Sequence, residues 1–404
     1  MRLHSAGRPE RLRRELERAL PQRPFGVRFW DGGELLATTP GGPLFTMRSP
    51  AAVAHLLRAP GQLGLGRAYA AGQLEADDLD RVIGLLDGFT PPALDRPTRL
   101  RLALAAVLAC GPMLPPRVPA SELRPRGRRH SRERDARAVR HHYDVSNDFF
   151  ALFLGPSMVY SCALFSRGAP DLEQAQRAKL DLVCAKLDLR EGERVLDVGC
   201  GWGGFVLHAA AHHGVRAVGI TLSPPQAQLA RRRVAQAGLA ERVEIRVADY
   251  RDLAGERFDA IASIGMVEHV GANQIDSYAR TLAGLLDRGG RLLNHGIARL
   301  RHGDPEAGRF SQRYVFPDAA PLHLSRILLA LERAGFTSEH VEGFAQDYVD
   351  TLSAWIERLD ANLQRAEQLA GGERVRVWRL YLRAARNGFA TGFTSIYQVL
   401  ARRA

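Results

Sequence analysis

Residues 195–204 read Val-Leu-Asp-Val-Gly-Cys-Gly-Trp-Gly-Gly, an apolar strand that runs directly into a group of glycines. Gly199, Gly201 and Gly203 follow the strand and precede a helical pattern. Glycine suits such a turn because the turn is tight and because a ligand must approach the backbone closely. The stretch therefore predicts a ligand-binding loop at the carboxyl end of a strand in an α/β sheet.

Strand-like and helical patterns alternate on both sides of this loop, as they do in doubly wound sheets. The predicted strands cover 194–198, 215–220, 243–248, 258–264 and 291–297, and a late strand is expected near 393–399. The predicted helices cover 205–213, 226–237 and 275–286. The predicted fold class is therefore α/β, a Rossmann-like doubly wound sheet with a smaller α+β domain in front of it.

The length of 404 residues allows two or three domains, and 46% hydrophobic and 25% charged residues are typical of a globular protein. We expect an N-terminal α+β domain at 1–118, with a strand at 27–30 and helices at 50–59 and 79–86. An arginine-rich linker is expected at 119–140, and the doubly wound domain at 141–404.

The positive charge is concentrated in the first third of the chain. Residues 1–140 carry a net charge of +10 out of a total of +12, and eight arginines lie between residues 124 and 140. Such a run is either a solvated connector or a strip that docks onto phosphate head groups. The positive field predicts an anionic partner, either nucleic acid or an anionic membrane surface. Lys179 and Lys186 are the only lysines, a bias typical of a GC-rich genome.

The four cysteines, Cys110, Cys162, Cys184 and Cys200, form no CxxC pair, so no zinc site or dithiol motif is predicted. The longest apolar run, 102–110, is too short to span a bilayer. Residues 9–20 are rich in arginine and lack the apolar core of a signal peptide. We therefore expect a cytoplasmic protein that associates with membrane only peripherally, at the inner face of the plasma membrane.

The glycine loop has two interpretations. Read as GxGxxG, it is a weak indication of a dinucleotide site. However, Asp197 precedes the first glycine by two residues, where it can face a cationic amino-acid ligand, and Thr221-Leu222-Ser223 offers no carboxylate for a ribose. The Asp-x-Gly-x-Gly pattern resembles motif I of the S-adenosylmethionine-dependent methyltransferases. That resemblance implies that Asp249 and Tyr250 flank the adenine, although Asp249 is also explained as a helix N-cap.

Six further motifs in order resemble the cyclopropane-fatty-acyl-phospholipid synthase family, which includes the mycolic-acid-modifying methyltransferases. They are His142–Phe150, Met158–Phe165, Gly219–Gln226, Ser263–Gly271, Asn294–Ile297 and Tyr348–Trp355. The resemblance runs from about residue 141 to the C-terminus, and 63–69 resemble the extra N-terminal domain of the phospholipid-acting branch. It implies a class I methyltransferase fold and work on the cis double bond of an acyl chain. The compact stretch between His295 and Tyr348 favours phospholipid over mycolate.

The resemblance also implies the site residues. A bound bicarbonate ion is the expected proton acceptor, held by Cys162, Glu268, His295, Ile297 and Tyr348, with Tyr143 at the same active site. A protonated His295 and the Tyr348 hydroxyl are expected to donate to the anion, and Glu268 to orient it. The expected contacts of S-adenosylmethionine are Tyr160, Ser161, Asp197, Gly199, Gly201, Gly203, Thr221, Leu222, Gln226, Asp249, Tyr250 and Ile264.

Each of these residues has an ordinary structural explanation as well. Cys162 is compatible with core packing, His295 with a satisfied buried histidine, and Tyr348 with an amphipathic helical stripe. Glu268 and His269 are compatible with a helix start. The aromatic residues before the glycine loop, Tyr143 and Tyr160 among them, are compatible with a helical core stripe, or with stabilisation of a carbocation by ring faces.

The function predicted is methylene transfer from S-adenosylmethionine to unsaturated phospholipid acyl chains, giving a cyclopropane. The alternative stops after a hydride shift and gives a methylene-branched chain, which a partner reductase would convert to a methyl branch. A nucleic-acid-binding protein or methyltransferase is disfavoured because the arginine run has no interleaved aromatic residues. A catalytically inactive lipid scaffold is disfavoured because Glu268, His295 and Tyr348 are all present. A homodimer is a family expectation.

Overall fold

A seven-stranded sheet carries the predicted glycine loop. The computed structural model describes residues 9–112, 116–123, 127–143, 145–303 and 308–404, without the side chain of Ala136. Two of the arginines expected in the docking strip, Arg124 and Arg126, lie outside the described residues. The chain divides into two units. The first comprises the described residues up to Leu123 with Gly308–Tyr314 and Gly371–Asn387, and the second comprises the remainder.

The first unit opens with nine regular elements. They are α1 (Glu10–Ala19), β1 (Gly26–Arg28), β2 (Glu34–Leu35), β3 (Leu44–Met47), α2 (Ala51–Arg58), α3 (Gln62–Ala70), β4 (Leu74–Ala76), α4 (Leu79–Gly88) and α5 (Arg96–Cys110). The strands form one sheet in the order β2-β1-β3-β4. Asp78 and Asp95 accept backbone N–H bonds at the starts of α4 and α5, which satisfies donors that a helix leaves unpaired.

The second unit contains the larger sheet, and its elements follow α5 in the chain. They are α6 (Arg132–Tyr143), α7 (Asn147–Leu154), α8 (Leu172–Lys186), β5 (Arg194–Val198), α9 (Gly204–His213), β6 (Arg216–Thr221), α10 (Pro224–Gln236), β7 (Val243–Val247), β8 (Phe258–Ile264), α11 (Ile275–Leu285) and β9 (Leu286–Arg299). The remaining elements are α12 (Arg309–Tyr314), α13 (Leu324–Arg333), β10 (Phe336–Gly343), α14 (Ala345–Ala361), α15 (Leu363–Ala370), α16 (Gly372–Ala390) and β11 (Thr394–Arg403). Of these, α12 and most of α16 belong to the first unit.

The strand order of the larger sheet is β10-β11-β9-β8-β5-β6-β7. The five strands from β9 to β7 are parallel, and β11 pairs antiparallel with both β9 and β10. The predicted doubly wound sheet is therefore confirmed, including its late strand. One strand, β10, was not predicted.

Two apolar layers cover the faces of this sheet. One includes Leu196, Ile261 and Leu292 with residues of α11 and α13, and the other includes Val195, Ala217 and Ala260 with residues of α8 to α10. Neighbouring residues of one strand therefore face opposite layers, which is why the central strands read as continuous apolar runs. Both layers hold the strand ends rigidly at the edge where ligands bind in such folds.

Part of the arginine-rich segment predicted as a linker at 119–140 is helical. Its second half forms α6, and two of its arginines pair with distant acids: Arg132 with Asp252 at 2.5 Å and Arg134 with Asp318 at 2.6 Å. Both acids lie far from α6 in the sequence. The arginine run alone therefore did not predict a helix. Among the helices of the described residues, none has the length and apolarity that crossing a membrane requires.

Candidate functional site

A cavity opens at the carboxyl ends of β5, β6 and β8. The glycine loop that follows β5 forms its floor, and the N–H groups of Gly199 and Cys200 both donate to the carbonyl of Ile220. Gly199 and Gly201 have φ angles of 87° and 53°, which side-chain-bearing residues rarely adopt. The loop therefore needs glycine for its own shape as well as for close approach of a ligand.

Most of the expected cofactor contacts line this one cavity. They are Tyr160, Ser161, Asp197, Gly199, Gly201, Thr221, Leu222, Gln226, Asp249, Tyr250 and Ile264, together with Tyr143 from the expected catalytic set. Gly203 is the exception, because it caps α9 at a φ of 83° on the side of the loop that faces Ala230. Gly204 lines the cavity in its place.

One end of the cavity holds a buried pair of opposite charges. Burial raises the pKa of Asp197 to about 7, and the nearby ammonium of Lys179 acts in the opposite direction. Burial lowers the pKa of Lys179 to about 8, and this ammonium donates to Ser161 Oγ at 2.9 Å. A methionine-type amino-acid group carries one ammonium and one carboxylate. This end of the cavity therefore offers an acid and a base of matching charge.

The opposite end is organised by short hydrogen bonds. Thr221 Oγ1 donates to Gln226 Oε1 at 2.7 Å, which fixes the orientation of that amide. Asp249 accepts from the backbone N–H of Arg251, and from its guanidinium at 2.8 and 2.5 Å, so the N-cap explanation of Asp249 describes what the structure shows. Its carboxylate still lines the cavity, where each oxygen has a second lone pair.

Aromatic rings form a wall beside the glycine loop. Tyr143 contacts Tyr160 edge-on with ring centroids 6.2 Å apart, and Tyr160 stacks on Trp355 at 5.1 Å. Trp202, the residue between the loop glycines, contacts Phe150 at 5.0 Å and donates its indole N–H to Asn147 at 2.7 Å. Such faces are negative, and they attract a cation without forming a bond to it.

The five residues expected to hold bicarbonate form a second, separate cluster around Phe344. Cys162 Sγ lies 3.8 Å from the Phe344 carbonyl, the His295 ring lies 6.2 Å from the Phe344 ring, and Tyr348 follows one helical turn later. Glu268 and Ile297 join the cluster through β9: Ile297 follows His295 by two residues in that strand, and its backbone N–H hydrogen-bonds to the Glu268 carboxyl. None of the five lines the first cavity, but Gly265 does, and its N–H donates to the His295 carbonyl at 2.8 Å. One residue thus joins the two sites.

Glu268 lies in a turn against β9 and is buried, with an exposure of 8%. Burial raises the pKa of Glu268 to about 7, although backbone N–H groups, including that of Ile297, hydrogen-bond to its carboxyl and act in the opposite direction. Within the described part of the chain, its Oε2 atom has no hydrogen-bond partner. The adjacent position 296 is glycine because a Cβ there would overlap Val267. Gly296 thus makes room for the turn that carries Glu268.

The charge state of His295 differs from the sequence expectation. Burial, Lys179 and Lys186 hold the pKa of His295 well below its ordinary value, which favours a neutral ring over the protonated form that the sequence analysis expects. Lys186 donates to Gln398 Oε1 at 2.8 Å, and Gln398 Nε2 lies 3.2 Å from His295 Nδ1. Since lysine only donates, the amide must donate to Nδ1, and the imidazole proton must reside on Nε2.

His295 Nε2 then carries a hydrogen that is buried and, among the described residues, has no acceptor. Two unpaired polar atoms, one acidic and one donating, are thus enclosed in the same cluster. Unpaired buried polar groups are rare because each costs free energy, so this arrangement indicates a polar ligand. Cys162, in contrast, is a fully buried thiol whose pKa is raised well above the ordinary value by burial, so it serves as a neutral neighbour.

Sequence reasoning missed Lys179, Lys186 and Gln398. A signal for the lysines was present, because they are the only two among 56 basic residues, and both are in α8, seven residues apart. Both donate to side chains of the two sites, Lys179 to Ser161 and Lys186 to Gln398. No sequence pattern indicates Gln398, because only the pairing of β9 with β11 brings it opposite His295.

Comparison with known proteins agrees with this geometry. The sequence model of a family described as mycolic acid cyclopropane synthetase matches residues 130–399. A probable fatty acid methyltransferase of Mycobacterium tuberculosis is 40% identical over 366 residues, 88% of this chain and 86% of the relative. The cyclopropane-fatty-acyl-phospholipid synthase of Escherichia coli K12 is 34% identical over 347 residues, 85% and 84% of the two chains.

A solved structure resembles the second unit. The mycolic acid cyclopropane synthase CmaA1, crystallised with SAH and CTAB, superposes with a TM-score of 0.63 at 32% identity. The match covers 66% of this chain and 98% of that one. The charged pair and glycine loop of the cavity fit the amino-acid portion of such a cofactor.

Proposed function

Because the chain belongs to the mycolic acid cyclopropane synthetase family, we propose that this S-adenosylmethionine-dependent methyltransferase acts on the cis double bond of an unsaturated phospholipid acyl chain. The product proposed is a cyclopropane ring within the chain. The similarity to the cyclopropane-fatty-acyl-phospholipid synthase over 85% of the chain supports a phospholipid substrate.

The reaction demands two things of the protein. S-adenosylmethionine would supply an electrophilic methyl group. The alkene π electrons would form a bond to that carbon as its bond to the sulfonium sulfur breaks, so S-adenosylhomocysteine would leave with that electron pair and the acyl chain would carry a carbocation. A protein nucleophile would trap that cation, so the surroundings must be electron-rich but unreactive. The wall that contains Tyr143, Phe150 and Tyr160 meets this demand through ring faces. Lys179, Asp197 and the glycine loop orient the cofactor's amino-acid portion.

The second demand is a place to deposit a proton. Loss of a proton from the new methyl group releases the electron pair that closes the ring onto the cation. The single observation that carries the proposal is the enclosed pair of unpaired polar atoms, Glu268 Oε2 and His295 Nε2. A bicarbonate ion fits this pair, because His295 donates to an anionic oxygen while ionised Glu268 accepts the O–H. The Ile297 N–H holds Glu268 in place.

A second product is favoured by one observation. The relative from Mycobacterium tuberculosis that is 40% identical is named a fatty acid methyltransferase, not a cyclopropane synthase. A 1,2-hydride shift would move the cation onto the methyl-bearing carbon, and loss of a methyl proton would then leave an exocyclic methylene. A separate reductase would be needed to produce a methyl branch. Both routes use the same proton acceptor.

The test is incubation of the full chain with methyl-labelled S-adenosylmethionine and vesicles of oleoyl phospholipid. We expect label in the acyl chain, and we expect none with a fully saturated phospholipid as the matched control. Ozonolysis followed by mass spectrometry separates the products, since only the methylene-branched chain retains a cleavable double bond. Absence of label from oleoyl lipid would refute the proposed function.

A further inference from the structure

Helix α5 presents an apolar surface to solvent. Residues 102–110 are apolar throughout, a pattern that normally indicates a helix buried on all sides. The side chains that α5 buries are mostly small: Ala105 and Ala109 are 0% and 1% exposed, and Leu102 is partly buried against the same core. α5 packs on α1 and α2. Four other large side chains of α5 are exposed.

These large side chains form one continuous stripe. Leu100, Leu104, Val107 and Leu108 are 72%, 50%, 55% and 50% exposed. Their spacing of four, three and one residues places them within an arc of about 100° on a helix about 22 Å long. Leucines that remain in water contribute no hydrophobic free energy to folding. A continuous exposed stripe of them therefore indicates an external apolar contact.

Arginines border the stripe. Arg99 and Arg101 lie about 100° to either side of Leu100, and Arg96 lies at the N-terminal end of the stripe. All three are exposed, and Arg101 also contacts Glu15 of α1 at 3.3 Å. From Arg96 to Cys110 the helix contains no acidic residue. An apolar stripe edged by cations suits a helix that lies in the interface of an anionic bilayer.

A second copy of this chain fits the stripe poorly. In a symmetric pair, α5 would face α5 of the partner. Since α5 has no acidic residue, its arginines would find no ion-pair partner on the facing helix. Lipid phosphates supply the missing negative charge.

We infer that α5 is the membrane-docking element, with Leu100, Leu104, Val107 and Leu108 inserted among lipid acyl chains and Arg96, Arg99 and Arg101 on anionic head groups. The purpose of this docking rests on the proposed phospholipid substrate, whose double bond lies inside a bilayer. The docking itself is a property of α5 and is measured without turnover.

The first experiment measures co-sedimentation of the full chain with vesicles of phosphatidylglycerol and phosphatidylcholine. We expect the double variant Leu104→Gln/Leu108→Gln to partition roughly 10- to 100-fold more weakly than the unmodified protein. The matched control is Leu86→Gln in α4, a leucine that is also half-exposed but lies outside the stripe. Arg96→Gln and Arg99→Gln should each weaken binding about fivefold at low salt. Unchanged binding of the double leucine variant would overturn the inference.

Insertion is tested with a tryptophan at position 104. Leu104→Trp fluorescence should shift to shorter wavelength when phosphatidylglycerol vesicles are added, and Leu86→Trp fluorescence should not. Sedimentation velocity gives the oligomeric state in parallel. If Leu104→Gln/Leu108→Gln dissociated a dimer while vesicle binding was retained, the stripe would be an interface between copies and the inference would be wrong.

Turnover separates this inference from the proposed function. With phospholipid dispersed in detergent, the double leucine variant should incorporate label at the rate of the unmodified protein, and with vesicles it should be slower by the loss in binding. Equal slowing on both substrates would contradict a docking role. Absence of label on either substrate, with vesicle binding intact, would refute the proposed function and leave the docking inference standing.

Discussion

Replacement of Gln398 by glutamate tests how the second cluster holds a proton. In the folded protein, Gln398 donates to His295 Nδ1 at 3.2 Å and accepts from Lys186 at 2.8 Å, and both Gln398 and His295 are completely buried. A glutamate has the same length, but its carboxylate only accepts. We expect the imidazole proton to move to Nδ1, so that Nε2 presents a lone pair where it previously presented a donor.

The magnitude follows from the lost contact. A buried hydrogen bond to a charged group contributes about 1.5–3 kcal/mol, which corresponds to a fall of about 10- to 150-fold in turnover. In the unmodified protein, burial and the two lysines lower the pKa of His295, which favours the neutral ring. A carboxylate beside Nδ1 favours the charged ring and raises that pKa. Protonation restores a donor at Nε2, so Gln398→Glu should recover activity as pH decreases.

The assay is the pH profile of label transfer, with ¹⁵N spectra of histidine-labelled protein to report the tautomer. The signal of His295 is assigned by its disappearance in His295→Gln. Gln398→Met is the matched control, because it fills similar space but cannot accept, and its loss of activity should not recover at low pH. Cofactor affinity should remain unchanged in both variants. A Gln398→Glu enzyme with full turnover and an unaltered pH profile would refute the assignment.

Four further perturbations test the two sites. Glu268→Gln should abolish most turnover but leave SAH binding intact; full turnover would contradict its role. Burial raises the pKa of Glu268 to about 7, so the unmodified protein loses stability as pH rises from about 4.5 to 7. The free energy of unfolding of Glu268→Gln in urea should therefore be higher at pH 8 by a few kcal/mol. Below pH 4 the two proteins should not differ. Gly296→Ala should destabilise by about 1–3 kcal/mol in urea unfolding, because its Cβ overlaps Val267, and a neutral effect would disprove this packing. Lys179→Met should weaken SAH binding about tenfold or more by calorimetry, since it removes the cation at the cofactor cavity, whereas equal affinity would exclude that contact. Carbonate-free buffer should slow label transfer and added bicarbonate should restore it; an unchanged rate would remove bicarbonate from the proposal.

The parts of the fold that could be predicted are those encoded by short, local patterns. The glycine loop and the apolar strands beside it lie within a few residues of each other, and their periodicity indicates a parallel sheet. β10 was not predicted because it is mostly exposed and contains Ser-Glu-His at 338–340, which is not a strand-like pattern. α6 was not predicted because Asp252 and Asp318, which neutralise two of its arginines, are more than 100 residues away in the chain.

The site divides in the same way. Asp197, Thr221 and Asp249 lie at or just after strand ends, so the doubly wound pattern places them at one edge of the sheet. Tyr160 and Ser161 precede the first strand of that sheet and were expected only from the family resemblance. The tautomer of His295 depends instead on the register of β9 against β11 and on one lysine of α8. Its charge depends on complete burial, which no local pattern encodes. The sequence could identify the residue but not its protonation state.

Because lysine is rare, the folded protein offers few primary amines to amine-reactive reagents. Apart from the amino terminus, the only primary amines are those of Lys179, which is 1% exposed, and Lys186, which is largely enclosed. Acylating cross-linkers, aldehyde fixatives and reductive methylation would therefore find almost no target on the folded surface. Slow labelling of either lysine would therefore report transient opening of α8. Lys179 lies beside the cofactor cavity, and Lys186 is linked to His295 through Gln398. Labelling of the two lysines thus measures local conformational fluctuations at the active site.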